Sequence, residues 1–542
     1  MKKILIPILG ITALLFFNSC SEEFLDVNKN VNDAYSNQLT PKDRLSAAET
    51  VVFRTQAGTM NRFGNLIMNA WAGNIYFYAS PYGDEFRMRA DSQFYDTIWD
   101  NLYLGISNYQ AIIESPNAAK YPHHVAIAKI MKAYYMQMIV DLYNDVPYTE
   151  AFKGQANKHP KYDKGKDVYK GLLAELNQAL VLLGQTPENA TYALLPVEDP
   201  IFAAASADMS KWAQMANTVK LKMLVRLSNC TDPEVIAWRN TELQALAPLT
   251  SDVTKFVSAD VKINPGYSSA STGQQNPFYT TYGVINIASN DMSADYRLTF
   301  ASDHIIKALK GQIPETSGVA DGRITRLFLN NGVGQASNYI GGVSGPSANA
   351  NLMVGQPQGG GKDASKVETD FATLGLFSAF ASPSGGSALP GLVLTLAEVR
   401  FLQAEAATVY PTTMAFNAQT SFNDGVTQSF LTFGASPTAT NNYLAAISTK
   451  PGMGWAASPN KIQAIQYQKW VALTNINPTE TFISYNKTGF PVLPMPLGSY
   501  YPSRPKRLMY AQSEYISNTA NVPNPGIDEM YTVNQYSPFW MK

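Results

Sequence analysis

The sequence predicts a mostly α-helical protein, built as a scaffold of helical hairpins carrying an irregular, loop-rich lobe. Three observations carry that reading. Apolar residues recur at spacings of three and four in several long segments, the mark of helices with one buried face. Helix starts near 125, 167 and 210 are spaced by about forty residues, as stacked hairpins would be, although no strict repeat is visible. Between about 231 and 390 the chain is rich in Gly, Ser, Asn and Pro, with runs such as Gly359-Gly360-Gly361 that supply turns rather than long helices.

In chain order, residues 1–19 read as a secretory leader. Lys2 and Lys3 start it, and Ile4 to Phe17 is an apolar run of fourteen residues. That run is too short for a bilayer core, which takes ~20 apolar residues. Cys20 follows where a bacterial lipobox would place the thiol that is acylated, so residues 20–40 are expected to form an acylated tether. Two or more acyl chains hold a protein firmly on a membrane, whereas one binds reversibly.

Residues 41–542 are then expected to form a single domain, with the scaffold at about 41–230 and 391–542 and the lobe at about 231–390. Thr40-Pro41-Lys42-Asp43 is a helix start, with threonine as cap and proline at the first helical position, and the helix should run over 42–56. Val125, Ala128, Met131, Tyr135, Met138 and Leu142 form the apolar stripe of a helix over 125–143, with Lys129, Lys132 and Gln137 off it. That helix stops before Pro147, because a residue preceding proline is pushed out of the helical region. Similar patterns predict helices at about 166–183, 210–228, 392–409, 422–432 and 460–473.

Composition narrows the function. A net charge of −1 with no basic stretch argues against a nucleic-acid partner, which needs a positive surface for phosphates. Beyond Cys20 the only thiol is Cys230, at the end of an apolar helix and expected in the core, so stability must come from packing. His123, His124, His159 and His304 make no metal-binding spacing, and no phosphate loop, dinucleotide fingerprint or nucleophile elbow is present. No cofactor or metal site is read. Glu398 and Glu405 are the tidiest carboxylate pair, seven residues apart on one helix. Their rise of ~10.5 Å exceeds the ~5–9.5 Å of glycosidase pairs, and a packed structural role is favoured over catalysis.

Aromatic clusters are the better candidates for function, because a ring face suits the apolar C–H surface of a sugar while amides satisfy its hydroxyls. Trp71, Tyr76, Phe77, Tyr78 and Tyr82 lie in one loop-like stretch, and Tyr267, Asn276, Phe278, Tyr279 and Tyr282 in another. A ring covering ~100 Å² of apolar ligand surface contributes about 2.5 kcal/mol. The competing role for each ring is to pack the lobe onto the scaffold. Trp212 and Trp470 are expected in the core.

Several segments together resemble the SusD/RagB family of outer-membrane lipoproteins, in its second SusD-like branch. They include Phe24-Leu25-Asp26-Val27-Asn28, Asp141-Leu142-Tyr143-Asn144-Asp145-Val146-Pro147, Asp208-Met209-Ser210-Lys211-Trp212, Asp321-Gly322-Arg323, Ala397-Glu398-Val399-Arg400-Phe401-Leu402, Gln468-Lys469-Trp470 and the terminal Phe539-Trp540. Glu480 to Lys487 is less basic than the family's usual pattern there. The resemblance implies tetratricopeptide-like hairpins and a non-catalytic role. The protein would capture an oligosaccharide or a peptide and deliver it to a SusC-like TonB-dependent β-barrel transporter. Ser21-Glu22-Glu23 looks like the acidic signal that sends such lipoproteins to the outer face. The alternative is a surface-anchored glycoside hydrolase or peptidase acting in the loop-rich lobe.

Overall fold

Helix α1 (Pro41–Thr55) starts at the predicted proline, whose missing N–H costs nothing in a first turn. A computed structural model describes residues 39–286, 291–329, 350–375 and 385–542, so Cys20 and the leader lie outside the described residues. Only helices longer than ten residues are numbered below. Pro41–Lys542 forms one compact unit.

Helix α1 packs on α2 (Asp96–Ile113), a helix the sequence reading did not assign. Ile98, Trp99, Leu102, Ile106, Tyr109 and Ile112 form its buried stripe at helical spacing. Gly105 is required at the crossing, since a Cβ there would lie 2.8 Å from the Cβ of Val52. Helix α2 in turn packs on α3 (Pro122–Tyr143), which is buried at every residue but Lys129. The predicted one-sided stripe of α3 is therefore too narrow. Lys132 is also buried, and it survives there by an ion pair with Glu175 at 2.7 Å.

Helix α3 pairs with α4 (Gly165–Leu183), and α4 with α5 (Ser210–Arg226). Next comes α6 (Pro233–Leu246), inside the stretch expected to be loop-rich; Asp232 caps it by accepting from the Glu234 N–H. The second half of the scaffold is α7 (Leu396–Val409) on α8 (Ala418–Thr432), α9 (Pro437–Ile447), α10 (Lys461–Leu473) and α11 (Pro478–Thr488). Helix α7 starts four residues later than predicted, because Gly391–Leu394 is drawn into a strand and Thr395 then caps the helix.

Between the two halves the lobe is stitched by antiparallel two-stranded pairs of two to four residues per strand. Strand β1 (Trp71–Gly73) pairs with β5 (Thr299–Ala301), β2 (Val261–Ile263) with β8 (Gly391–Leu394), β3 (Val284–Asn286) with β4 (Asp291–Met292), and β6 (Phe328–Leu329) with β7 (Thr373–Leu374). The β1–β5 pair ties the lobe to the first scaffold half, and β2–β8 ties it to the second.

A buried ionic network holds the hairpins in register. Glu480 on α11 receives Lys222 and Arg226 from α5 and Lys469 from α10, each at 2.8 Å. Glu398 on α7 pairs with Lys222 at 2.5 Å, and Glu405 with Lys487 at 2.6 Å. Burial by itself would raise the Glu480 carboxyl, but Arg226, Lys222 and Lys469 outweigh it and hold it well below the usual carboxylate range. The same balance, with Lys487 and Lys469 as the cations, lowers Glu405. Trp212, Trp470 and Cys230 are all buried, as expected of core residues.

Candidate functional site

Two surfaces gather the aromatic residues singled out from the sequence. The first is a ledge directly after β1. Gly73 lets the chain fold back on itself, because a Cβ there would lie 2.3 Å from the Pro81 ring. Asn74, fully buried, organises the turn. Its backbone N–H donates to the Leu298 carbonyl (2.7 Å), and its side-chain amide donates to the Arg297 carbonyl (2.8 Å) and to Glu368 (2.9 Å). Its side-chain oxygen accepts the N–H groups of Tyr76 and Phe77 at 3.2 and 3.1 Å.

That turn puts two rings in solvent. Phe77 is 42% exposed and Tyr78 59% exposed, an unusual display for large aromatics. The Arg297 guanidinium lies 4.1 Å from the Phe77 ring centre, which fixes the ring by a cation–π contact. Tyr76, half-buried, packs with its ring tilted against Phe371 at 5.2 Å, and its hydroxyl donates to the Asp363 carbonyl at 3.1 Å. Tyr76 and Phe77 are thus ordered before any ligand arrives, so little conformational entropy is lost on contact with them, while Tyr78 is tied to the turn through its backbone N–H, which donates to the Asn74 carbonyl at 3.1 Å.

The second surface is a cleft of about 550 Å³ where lobe and scaffold meet. Its borders come from α1 (Phe53), the π-helical turn Gln56–Met60 (Ala57), the short helix Pro277–Tyr282, strand β2 and helix α8. Asn276 caps the short helix, accepting from the Phe278 N–H, and donates to the Leu389 carbonyl at 2.9 Å. Phe278 and Tyr279 therefore face the cleft from a fixed base; burial pushes the Tyr279 hydroxyl up to about 12.

The remaining sequence candidates serve the core or the loops. Trp71 is fully buried; its indole N–H donates to Asn475 at 2.7 Å and its ring meets Tyr282 edge-on at 4.9 Å. Tyr282 is buried and donates to the Gly58 carbonyl. Tyr82 is half-buried, hydrogen-bonded to Thr299 and packed against Phe86. Tyr267 is half-buried, with a hydroxyl that has no partner among the described residues. Arg297 is not legible in the sequence. Phe77 belongs to the cluster the sequence marks out, but nothing local points to a guanidinium about two hundred residues away as its support.

Neither Glu398 nor Glu405 borders the cleft, and both are buried in ion pairs. His123 bonds Ser206 and the Gln185 carbonyl, while His124 bonds Glu198. Among the described residues no three or more His, Cys, Asp or Glu side chains gather to hold a metal ion, and no helix is long and apolar enough to cross a membrane.

Stacked helical hairpins with a loop-rich lobe define a mostly helical protein of tetratricopeptide-like architecture. More particularly, the chain belongs to the SusD/RagB family: the SusD-like family described as "Starch-binding associating with outer membrane" matches residues 34–511. Solved structures agree in fold. A SusD homologue from Bacteroides fragilis superposes with a TM-score of 0.67 at 18% identity, over 93% of this chain and 100% of that one. A chitin-binding SusD homologue from Flavobacterium johnsoniae gives 0.63 at 19%, over 92% and 97%. A SusD/RagB family protein from Bacteroides thetaiotaomicron gives 0.65 at 18%, over 93% and 99%. No curated protein is similar enough in sequence to count as a relative.

Proposed function

We propose that this protein is a non-catalytic surface lipoprotein that captures an oligosaccharide on the Tyr76–Phe77–Tyr78 ledge and delivers it to a SusC-like TonB-dependent transporter. The observation that carries the reading is the pair of solvent-facing rings on the turn organised by the buried Asn74, with Arg297 fixing Phe77. Exposed rings cost solvation unless a ligand covers them, and a sugar face is the ligand such a ledge suits. The family's description as starch-binding and outer-membrane-associated supports a glycan, as does the chitin-binding homologue. Acylation at Cys20 would supply the membrane attachment, since no described helix can.

The test is calorimetric titration of the purified protein with maltodextrins and chitooligosaccharides. Tyr78→Ala is expected to weaken binding by at least tenfold, because one ring's ~2.5 kcal/mol exceeds the ~1.4 kcal/mol of a factor of ten. Turnover of the glycan, or binding unaffected by loss of the ring, would overturn the proposal.

A further inference from the structure

Away from both aromatic surfaces, the first scaffold helix carries a carboxyl group with nothing to hold its charge. Glu49 lies on the core face of α1 with Leu45 and Val52, and it is 1% exposed. Neither of its carboxyl oxygens has a hydrogen-bond partner among the described residues. Lys42, on the first turn of α1, and His124, near the start of α3, both pair with Glu198 instead, at 2.8 and 3.1 Å. Asp199 takes the donors of that corner: the N–H groups of Ile201, Phe202 and Ala204 at 3.0, 3.0 and 3.1 Å, and the Trp212 indole N–H at 2.8 Å. The other titratable groups in the field of Glu49 are Tyr109 from α2 and Tyr135 from α3. The Tyr109 hydroxyl has no partner among the described residues, and that of Tyr135 donates to Gln56 at 3.0 Å. Neither brings a positive charge.

Two carboxyl groups are thus buried in each other's field, and one of them has all the donors. Like charges in such a place favour a single ionised group. Burial first, and Asp199 after it, push the Glu49 carboxyl well above its ordinary range. Burial raises Asp199 as well, but its four donors work against the shift. Asp199 therefore keeps the charge and Glu49 the proton. We infer that Glu49 is a proton-dependent latch on α1: as the neutral acid it lets α1 seat against α2, α3 and the Pro196–Glu198 turn, and loss of the proton unseats the helix. An ionised Glu49 would be a buried charge without donor or counterion, and α1 must move to let water reach it. The latch is independent of glycan capture. It sits on the first described helix after the expected tether of residues 20–40.

Because the folded value lies above the unfolded glutamate value of about 4.3, the stability Glu49 contributes is fully present below that pH and is lost as pH rises toward the folded value. Urea unfolding of the purified protein, compared with Glu49→Gln at each pH, tests it. The ratio of wild-type to variant unfolding constants should rise about tenfold per pH unit from about pH 5 until Glu49 ionises, since one proton is released. Glu49→Met, of similar length and also without a proton to lose, should give the same slope. The slope is the readout, so a variant that is merely less stable still reports. Beyond the pH of ionisation, hydrogen exchange of the α1 amides should run faster in wild type than in Glu49→Gln, with the α10 amides matched. The infrared difference between the two proteins at pH 6 should show a protonated carboxyl band. A ratio that stays constant from pH 5 to pH 9, or a carboxylate band at pH 6, would overturn the neutral acid and the latch with it. The full slope with unchanged α1 exchange would refute the latch alone.

Discussion

Replacing Trp71 by alanine separates a packing role from a ligand-contact role, because sequence position alone puts this ring among the ledge aromatics. The indole is fully buried between β1 and the short helix ending at Tyr282, and its N–H donates to the side-chain oxygen of Asn475, itself 2% exposed. Truncating a buried tryptophan costs about 3–5 kcal/mol through lost contacts and the cavity left behind. Leaving the Asn475 oxygen unpaired adds roughly 1–3 kcal/mol, so a total near 4–8 kcal/mol is expected. At ~2.1 cal/mol/K per residue, a unit of about 500 residues unfolds with an entropy near 1 kcal/mol/K, and the melting temperature would move by only about 4–8 °C. Equilibrium urea denaturation is therefore the more sensitive assay, read as the shift in midpoint at constant slope. Trp71→Phe should recover most of the packing loss but not the hydrogen bond. A Trp71→Ala protein with an unchanged urea midpoint and abolished glycan binding would refute the reasoning.

Other expectations follow from the same contacts. Glu480→Gln removes the carboxylate shared by Lys222, Arg226 and Lys469, and should cost about 3–5 kcal/mol in urea denaturation because buried cations are left under-compensated. Since the folded state depresses Glu480 and Glu405, their contribution is fully present above the ordinary glutamate value of about 4.3 and is lost as pH falls through and below it. Urea midpoints measured from pH 7 to pH 3 should therefore drop on the acid side, with a flatter drop in Glu405→Gln. Gly105→Ala should destabilise by about 1–3 kcal/mol by forcing α1 and α2 apart at Val52, measurable by the same assay. Mass spectrometry of the mature N-terminus should find an acylated Cys20, and an unmodified start at a later residue would remove the proposed anchor.

The helical character was legible because each hairpin must bury a stripe, and a stripe prints itself at spacings of three and four. Helix α2 carries such a stripe plainly and was still passed over, since Gly105 and the mixed polar residues around it interrupt the apolar impression. Helix α6 could not be read the same way: only Val235, Leu243 and Leu246 of its residues are buried. Helix α3 was read as half-exposed because Lys132 and Gln137 are polar, yet both are buried. A partner on another helix decides whether a lysine can be buried, and that partner, Glu175, lies forty-three residues away.

The sequence by itself determined the family, the hairpin scaffold and the core placement of Trp212, Trp470 and Cys230, because these rest on local periodicity and on motifs running in order along the chain. It also marked out two clusters of candidate rings. Which rings in each cluster meet solvent is set by long-range packing. Trp71 and Tyr78 are seven residues apart in one stretch, but Asn475 claims the first, while the Asn74 turn, tied to Arg297 and Glu368, lifts the second out. The contacts that sort a core ring from an exposed one come from residues hundreds of positions distant, and no local pattern encodes them.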